Sequence, residues 1–339
     1  MKINAHGHLL PEPKQIPQFM KDKKLFWIDD QKQFMLQGNW SRPITDASFF
    51  LNDKLIWMEK NSIDREVILN LSQLYANGLS FEDSKDILQF QNDFNAEIQA
   101  LYPNKFYAGF VVQPKFIDLA LSEIERSVSL GLQILCLPTH YLNHENQWIS
   151  VADESCFPIF ELANHYKLSI EIHPYDAELM VPMKDRFWRY HLIWMCAQTA
   201  DTYHLYTLLD FPTRFPHIKT CFAHAGQFAM MGYGRRVQGY NGRPDLFPGA
   251  VHPEKNSQHK NIFVDSLTHD YLSLSLVIQR IGLSQVLAGI DDPYPLGEME
   301  TVPHSYPGKV IDDLLEHQII TETDKNNIWH KNVNQWLNK

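Results

Sequence analysis

Cysteine is scarce in this chain of 339 residues, and no two cysteines are close together. The four are Cys136, Cys156, Cys196 and Cys221. Because none belongs to a Cys-x-x-Cys pair, the sequence indicates neither a zinc knuckle nor a disulfide framework. This pattern fits a reducing compartment, and we expect a cytoplasmic protein.

An excess of positive charge and a long apolar run are also missing. Lys and Arg total 30 against 40 for Asp and Glu, a formal net charge of -10, which argues against a nucleic-acid surface. No uncharged run of about 18 apolar residues occurs, and the N-terminus lacks the apolar stretch of a secretory signal, so we expect no membrane partner. Hydrophobic residues at 44% and charged residues at 21% are typical of a soluble globular protein.

Short β-rich runs alternate with longer amphipathic stretches along the whole chain. We predict eight strands, at residues 2–6, 66–71, 106–112, 132–138, 168–173, 219–224, 261–266 and 285–291. Most are apolar on both alternating faces, as parallel strands covered on both sides should be. Residues 118–131 are a typical helical segment between them. The pattern predicts an α/β fold, a (β/α)8 TIM barrel.

Two stretches, at residues 9–57 and 232–260, are longer than the connections that a (β/α)8 barrel needs. Each follows the carboxyl end of a predicted strand, where barrel loops build active sites. The first contains Trp27, Trp40 and Trp57. We expect it to be a small insert packed beside the barrel mouth, and we expect one domain with two insertions.

The opening residues "MKINAHGHLL" contain a histidine pair, His6 and His8. Chance can supply one such pair in a chain with 16 histidines, so the pair alone is weak evidence. Strand placement strengthens it, because His173, His224 and Asp291 end three other predicted strands. Imidazoles and a carboxylate meeting at one barrel end form a natural divalent metal site suited to Zn2+. Any one of these histidines taken singly is more often a satisfied core or surface residue.

Several motifs stand at the predicted strand ends in a recognisable order. They are "HGH", "HP" after "IEI", "FAHAG" and "GIDDPYPLGE", and longer segments such as "FPIFELANHYKLSIEIHP" and "FPHIKTCFAHAG" extend the match over nearly the whole chain. Together they resemble the amidohydrolase superfamily, within it the branch of metal-dependent decarboxylases. The resemblance implies the same barrel fold and one bound zinc ion per chain.

The resemblance also implies a role for each strand-end residue. His6, His8, His173 and Asp291 would bind the zinc, with Asp291 serving catalysis through the metal, and His224 would be the general acid/base beside it. A metal lowers the pKa of its water to about 7, so a nearby imidazole can exchange a proton at neutral pH. An alternative makes His224 a fifth ligand, and the sequence does not separate the two.

Three further residues resemble substrate-binding residues of this branch. Arg235 and Arg243 resemble a pair that reaches across a homodimer interface to grip the carboxylates of a small anionic substrate. The planar guanidinium suits that task because it can hold a carboxylate through two hydrogen bonds. Trp194 resembles a tryptophan that walls the pocket. Without the resemblance, exposed loop arginines are usually solvated, and a tryptophan in a helical apolar pattern is more often core.

The chain departs from the family pattern at positions near the predicted pocket. Lys54 stands close to where the family has a substrate-contacting arginine, and it supplies charge without the fork. In "IDDPYPLGE" the extra acid Asp292 and the phenol of Tyr294 stand where the family pattern reads "TDYPFPLGE". These differences bear on substrate identity more than on metal or fold.

The function implied is a zinc-dependent, oxygen-independent decarboxylase of a carboxymuconate or related aromatic-pathway acid. The same site could also serve a hydrolase or hydratase of a lactone, amide or carboxymuconate, because this barrel hosts many reactions. A barrel that has lost catalysis and only binds a partner is a third possibility. The complete ligand set speaks against it.

Overall fold

Eight parallel strands form the centre of the fold. In a computed structural model, which describes residues 1–38, 40–174 and 186–339 without the side chain of Trp40, their order is β1-β5-β6-β7-β10-β11-β12-β13. The strands are β1 (Ile3–Gly7), β2 (Trp27–Ile28), β3 (Phe34–Gln37), β4 (Trp40–Pro43), β5 (Arg65–Ile68), β6 (Phe106–Val111), β7 (Ile134–Pro138), β8 (His140–Leu142), β9 (Trp148–Ser150), β10 (Ser169–His173), β11 (Lys219–Phe222), β12 (Ile262–Asp265) and β13 (Val286–Leu287). The predicted (β/α)8 barrel is confirmed, each barrel strand overlapping one predicted run.

The last barrel strand is much shorter than predicted, and it closes the barrel irregularly. Only Val286–Leu287 form β13, yet the following residues still bond to β1. The Ala5 amide donates to the Ala288 carbonyl at 2.7 Å, and the Asp291 amide donates to the His6 carbonyl at 2.7 Å. The regular ladder ends early because the chain turns towards the mouth, where Asp291 has a left-handed φ of 57°.

Helices surround the barrel. The α-helices are α1 (Gln18–Asp22), α2 (Leu51–Lys60), α3 (Phe81–Leu101), α4 (Ile117–Ser129), α5 (Phe157–Tyr166), α6 (Met195–Leu208), α7 (Phe211–Arg214), α8 (Gln227–Met231), α9 (Tyr233–Gly242), α10 (Tyr271–Ile281), α11 (Lys309–Glu316), α12 (Glu322–Asn326) and α13 (Asn332–Trp336), with π-helical turns at Tyr190–Trp194 and Asn327–Lys331. The helix predicted at 118–131 is α4 and ends just before Gly131, whose φ is 90°. None of the helices in the described ranges is long and apolar enough to cross a membrane.

The two long stretches outside the bare barrel have structure of their own. Within 9–57, β2, β3 and β4 form an antiparallel sheet that precedes α2. Within 232–260, α9 is followed by short 3-10 turns, and the Asn256 amide donates to the Thr207 carbonyl at the end of α6 at 2.8 Å. The first stretch reaches the barrel mouth through Arg42 on β4, which lines the cavity there.

Alternation along the barrel strands decides which side chains face the centre. In β10, Ile170 and Ile172 pack in the large apolar cluster that includes the surrounding helices. Successive strand residues point to opposite faces, so Glu171 and His173 share the other face, towards the barrel interior. The strand therefore places His173 at the mouth.

Candidate metal centre and its cavity

The five strand-end residues predicted to meet do meet. Ligand atoms of His6, His8 and His173 lie within 4.8 Å of one another, and so do those of His6, His224 and Asp291. The His6 and His8 ring centroids are 5.2 Å apart, and those of His173 and His224 are 4.9 Å apart. Since β1, β10, β11 and the segment after β13 all end at one edge of the barrel, the donors converge there.

Each of the three ligand imidazoles is oriented by a hydrogen bond from its Nδ1. His6 Nδ1 donates to Asp265 Oδ2 at 2.8 Å, and His8 Nδ1 donates to the Leu69 carbonyl at 3.1 Å. His173 Nδ1 donates to the Pro174 carbonyl at 2.8 Å. With the proton on Nδ1, each Nε2 keeps its lone pair, which is the arrangement that metal-ligating histidines need.

The Nε2 atom of His6 has no hydrogen-bond partner among the described residues, although it is buried. A buried polar atom without a partner is costly, and a cation at this point would satisfy it. The carboxylate of Asp291 faces the same point: Oδ1 lies 3.1 Å from His8 Nε2 and 3.7 Å from His6 Nε2. The donor set therefore fits a divalent metal ion.

Burial and mutual charge set the protonation states here. Burial lowers the pKa of His8, of His173 and, to about 4, of His224. Burial opposes the charge of His6 too, but the hydrogen bond and charge of Asp265 outweigh it and raise the pKa of His6 to about 9. For Asp291 the hydrogen bond from His8 and the neighbouring imidazoles outweigh burial and lower the pKa. A cation bound at His6 must therefore displace a proton, while the other imidazoles are neutral at neutral pH.

Asp265 is a site residue that the sequence reasoning missed. Besides His6, its Oδ2 accepts the His224 amide at 2.9 Å, and its Oδ1 accepts the Ala225 amide at 2.7 Å and the Leu267 amide at 3.1 Å. It thus fixes one ligand and the backbone of the loop that carries His224. Its place at the end of the seventh predicted strand was the signal that could have found it.

Four of the donors, His8, His173, His224 and Asp291, form the floor of an open cavity whose empty volume, including the open mouth, is about 790 Å³, and His6 is buried beside them. The cavity walls are largely apolar and aromatic. They are contributed by Arg42, Leu71, Ser72, Trp188, His191, Leu192, Met195, Cys196, Gln227, Leu267, His269, Tyr294, Pro295 and Leu296. A cavity of this kind suits a small planar ligand with few polar groups.

Arg42 brings positive charge to this cavity, and the sequence reasoning missed it. Its guanidinium lies over the ring of Tyr294, 5.2 Å from the centroid, and its Nη2 contacts His191 Nε2 at 2.5 Å. The antiparallel sheet of the first insertion carries it to the mouth. No periodic pattern in that insertion predicts where its side chains point, so Arg42 could not be predicted as a cavity residue.

Two predicted substrate-binding residues lie away from the cavity and are corrected here. Trp194 is half-buried and does not line the cavity, whereas Trp188 does, with its ring 5.0 Å from that of His191. Trp194 is the last residue of the π-helical turn Tyr190–Trp194, and Trp188 precedes that turn. Lys54 is completely buried and ion-paired beneath the strand ends, so it does not contact a ligand in the cavity.

Arg235 and Arg243 lie on the surface in this chain. Arg235 is exposed on α9, and Arg243 follows the same helix, where its Nη2 pairs with Asp245 at 2.8 Å. Neither lines the cavity of its own chain. Their role across a dimer interface stays a prediction.

Comparison with known proteins gives full-length relationships. No family model matches the chain. It is 28% identical to the 2-amino-3-carboxymuconate-6-semialdehyde decarboxylase of Dictyostelium discoideum, covering 99% of this chain and 91% of that protein. It is 23% identical to the protein of the same name from Caenorhabditis elegans, covering 99% and 94%.

A solved structure has a similar fold over the whole chain. The 5-carboxyvanillate decarboxylase of Novosphingobium aromaticivorans, complexed with manganese and 4-hydroxy-3-methoxy-5-nitrobenzoic acid, superposes with a TM-score of 0.78 at 15% identity, covering 100% of this chain and 96% of that one. At this identity the likeness concerns the fold. The two full-length sequence relatives are decarboxylases, which are carboxy-lyases, and they confirm the resemblance of the strand-end motifs to the metal-dependent decarboxylases of the amidohydrolase superfamily.

Proposed function

We propose that this protein decarboxylates 2-amino-3-carboxymuconate 6-semialdehyde, or a closely related carboxymuconate or aromatic-pathway acid, with one zinc ion per chain. The observation that carries the proposal is the convergence of His6, His8, His173 and Asp291 at the base of a cavity that the last three line and whose wall holds Arg42. The two sequence relatives are named as that decarboxylase, and each aligns with this chain over nearly its whole length. The substrate is thus proposed from relatives, and the chemistry from the site.

The donor set supports zinc as the metal. Three neutral imidazoles and one carboxylate are ligands that Zn2+ favours, while manganese prefers sites richer in oxygen. The solved relative with manganese has a similar fold, so both ions belong in the test. When bound, the cation would supply a Lewis acid that polarises the substrate and lowers the pKa of a water molecule.

His224 is the proposed general acid/base. Its Nε2 lies 3.9 Å from Asp291 Oδ2, so it faces the same centre as the ligands. Because burial lowers its pKa to about 4, the imidazole is neutral at neutral pH and can accept a proton at Nε2. We propose that it takes this proton from a water molecule whose hydroxide adds to the conjugated substrate, and returns the proton to the substrate carbon that carries the carboxylate. The electron pair of the breaking carbon–carbon bond then re-forms the double bond as carbon dioxide and the added hydroxide leave.

Arg42 and the aromatic walls are proposed to hold the substrate. The guanidinium can hold a carboxylate with two parallel hydrogen bonds, and it is half-buried, where such bonds are stronger than in water. Trp188 and Tyr294 offer flat apolar faces for a conjugated chain or ring. The Arg42 guanidinium can therefore make the two parallel hydrogen bonds to a carboxylate that the Lys54 ammonium group cannot make.

A homodimer is proposed to complete the cavity. The elements beside the mouth expose large apolar side chains: Leu192 is 48% exposed, Ile193 48% and Met231 74%. Such a patch favours association, and Arg235 and Arg243 on the following segment would reach the cavity of a second copy. This explains why both arginines are exposed in one chain.

The function is tested by metal content and by carbon dioxide release. The purified protein should contain one zinc ion per chain, and it should convert the semialdehyde with one carbon dioxide released for each substrate consumed. Consumption without carbon dioxide would favour the hydrolase or hydratase alternative. No consumption of any acid in a panel of carboxymuconates and hydroxybenzoates would contradict the proposal.

The shared arginines are tested with mixed dimers. Arg235→Ala and His224→Ala should each be nearly inactive alone. Unfolded and refolded together in equal amounts, they should regain roughly a quarter of wild-type activity, because half the dimers then have one intact site. Failure of the mixture to recover, or a fully active monomer, would contradict the homodimer proposal.

A further inference from the structure

Lys54 and Asp292, two of the departures from the family pattern, contact each other in the protein interior. Lys54 projects from α2 and is 0% exposed, as are Asp292 and Glu66. Its Nζ pairs with Glu66 Oε1 at 2.7 Å and with Asp292 Oδ2. Asn4 donates from Nδ2 to Asp292 Oδ1 at 2.7 Å. We call these four residues the buried charge network.

The buried charge network bonds directly to the backbone that presents the metal ligands. Asn4 Oδ1 accepts the His6 amide at 3.1 Å and the Ile290 amide at 3.0 Å, next to Asp291. The Asp292 carbonyl accepts the His8 amide at 3.0 Å. The backbones of His6, His8 and the ligand-bearing segment at 290–292 are therefore tied to one another through the Asn4 side chain and the Asp292 backbone carbonyl, and the Asp292 side chain in turn holds Asn4.

The network also packs against the glycine between the two ligand histidines. A Cβ atom at Gly7 would lie 2.3 Å from Glu66 Oε1 and 2.8 Å from Asp292 Oδ1. Such contacts leave no room for a side chain. The carboxyl groups of Glu66 and Asp292 therefore pack directly against Gly7, the middle residue of the "HGH" motif. A shift of either group would displace the backbone that carries both His6 and His8.

Charge balance makes Lys54 necessary for this arrangement. Burial and the charge of Asp292 raise the pKa of Glu66 to about 8, so Glu66 is protonated at neutral pH and Asp292 is the carboxylate that Lys54 balances. Without the cation, this buried carboxylate would be strongly destabilised by desolvation. Burial opposes the Lys54 charge, but Asp292 and Glu66 outweigh it and raise its pKa, so the ammonium group persists. Lys54 therefore holds Asp292 and Glu66 side by side beneath the metal centre.

We propose that Lys54 and Asp292 are positioning residues that fix the spacing of His6, His8 and Asp291, and thereby set the metal affinity. These two departures from the family pattern then form one compensated pair. The inference rests on the proposed metal centre. It concerns residues that contact neither metal nor substrate.

The test is a double-mutant cycle with metal affinity as the readout. Lys54→Met, Asp292→Asn and the double variant are stripped with chelator, and Zn2+ and Mn2+ are titrated in a calorimeter. We expect each single variant to lose at least about tenfold in metal affinity, as variants next to metal ligands do. The double variant should lose less than the two single losses combined, because no charge is left unpaired.

Lys54→Arg and a surface pair serve as controls. Lys54→Arg keeps the cation and should bind metal within about threefold of wild type, because the ion pair persists. The exposed pair Lys23 and Asp83, 2.5 Å apart, is changed in a matched cycle by Lys23→Met and Asp83→Asn, which should leave metal affinity unchanged. If Lys54→Met does not fold, the double variant and Asp292→Asn still give the comparison.

A purely structural network would behave differently. Its variants would unfold at lower temperature yet bind Zn2+ as tightly as wild type when folded, and the visible spectrum of Co2+-loaded protein would not change. That result would overturn the inference while leaving the metal centre intact. A wild-type chain that binds no divalent metal would refute the metal centre itself, and the inference with it. A changed Co2+ spectrum in Asp292→Asn, absent from the surface variants, would support it.

Discussion

Replacement of Asp265 by asparagine should disable the metal centre without changing any metal ligand. The Asp265 carboxylate accepts four hydrogen bonds, from His6 Nδ1 and from the amides of His224, Ala225 and Leu267. An asparagine has the same shape but only one acceptor oxygen. Its NH2 group must therefore face two of the four donors, whichever way the amide turns.

Either orientation of the new amide has a cost. If NH2 faces His6, that imidazole must move its proton to Nε2, which removes the lone pair that binds the cation. If NH2 faces the loop, the Ala225 and Leu267 amides lose a charged acceptor, at about 1.5–3 kcal/mol for each bond. Loss of a partner that orients a metal ligand typically lowers metal affinity about 10- to 100-fold, or about 1.4–2.8 kcal/mol.

The assay is calorimetric titration of Zn2+ into chelator-treated Asp265→Asn, with thermal unfolding recorded alongside. Asp270→Asn is the matched control, because Asp270 caps α10 by accepting the Ser273 amide at 2.8 Å, a role asparagine fills equally well. We expect the control to match wild type in both measurements. A folded Asp265→Asn protein with wild-type zinc affinity would refute the reasoning.

Three further predictions concern the cavity and the barrel interior. His224→Ala should keep wild-type metal affinity but lose about 10²- to 10⁴-fold in kcat, and loss of the metal instead would make His224 a ligand. Arg42→Met should raise KM at least about tenfold in steady-state kinetics, and Arg42→Lys should raise it less, because lysine keeps the charge but not the two parallel hydrogen bonds. An unchanged KM would show that Arg42 does not bind the substrate. Burial raises the pKa of Glu171 to about 8, above its ordinary 4.5, so its contribution to the unfolding free energy of chelator-treated protein should fall as pH rises from about 4.5 to about 8. Burial also raises the pKa of Glu66 to about 8 and that of Glu298 to about 7, and both act in the same direction. Glu171→Gln should therefore reduce the decline by a few kcal/mol, at about 1.4 kcal/mol per pKa unit, whereas the exposed control Glu125→Gln should leave it unchanged in chemical denaturation curves.

The barrel and the metal ligands were predictable because both follow from local patterns. Parallel strands covered on both sides are apolar on both faces, so all eight barrel runs could be read from the sequence. Their carboxyl ends meet at one edge, which predicts that His6, His173 and Asp291 lie together. Their individual roles as ligands were implied by the family resemblance.

The walls of the cavity were less predictable because they depend on loops and inserts. Arg42 lies on an antiparallel strand of an insertion that no period identified, and its direction depends on packing against Tyr294 and His191. Trp194 was predicted from its resemblance to a pocket tryptophan, whereas in this chain it lies in a π-helical turn and Trp188 lines the cavity.

Lys54 was misassigned for a related reason. A lysine on a helix is usually exposed, and its burial depends on Glu66 and Asp292, which are distant in sequence. Only the fold brings the three charges together.

The most direct test of the account is the stoichiometry of carbon dioxide release by protein containing one equivalent of metal. Zinc-loaded wild type is incubated with 2-amino-3-carboxymuconate 6-semialdehyde, beside chelator-treated protein and His173→Ala. The account predicts one carbon dioxide per substrate consumed with zinc, and almost none in the two controls. Equal turnover after metal removal, or substrate loss without carbon dioxide, would contradict it.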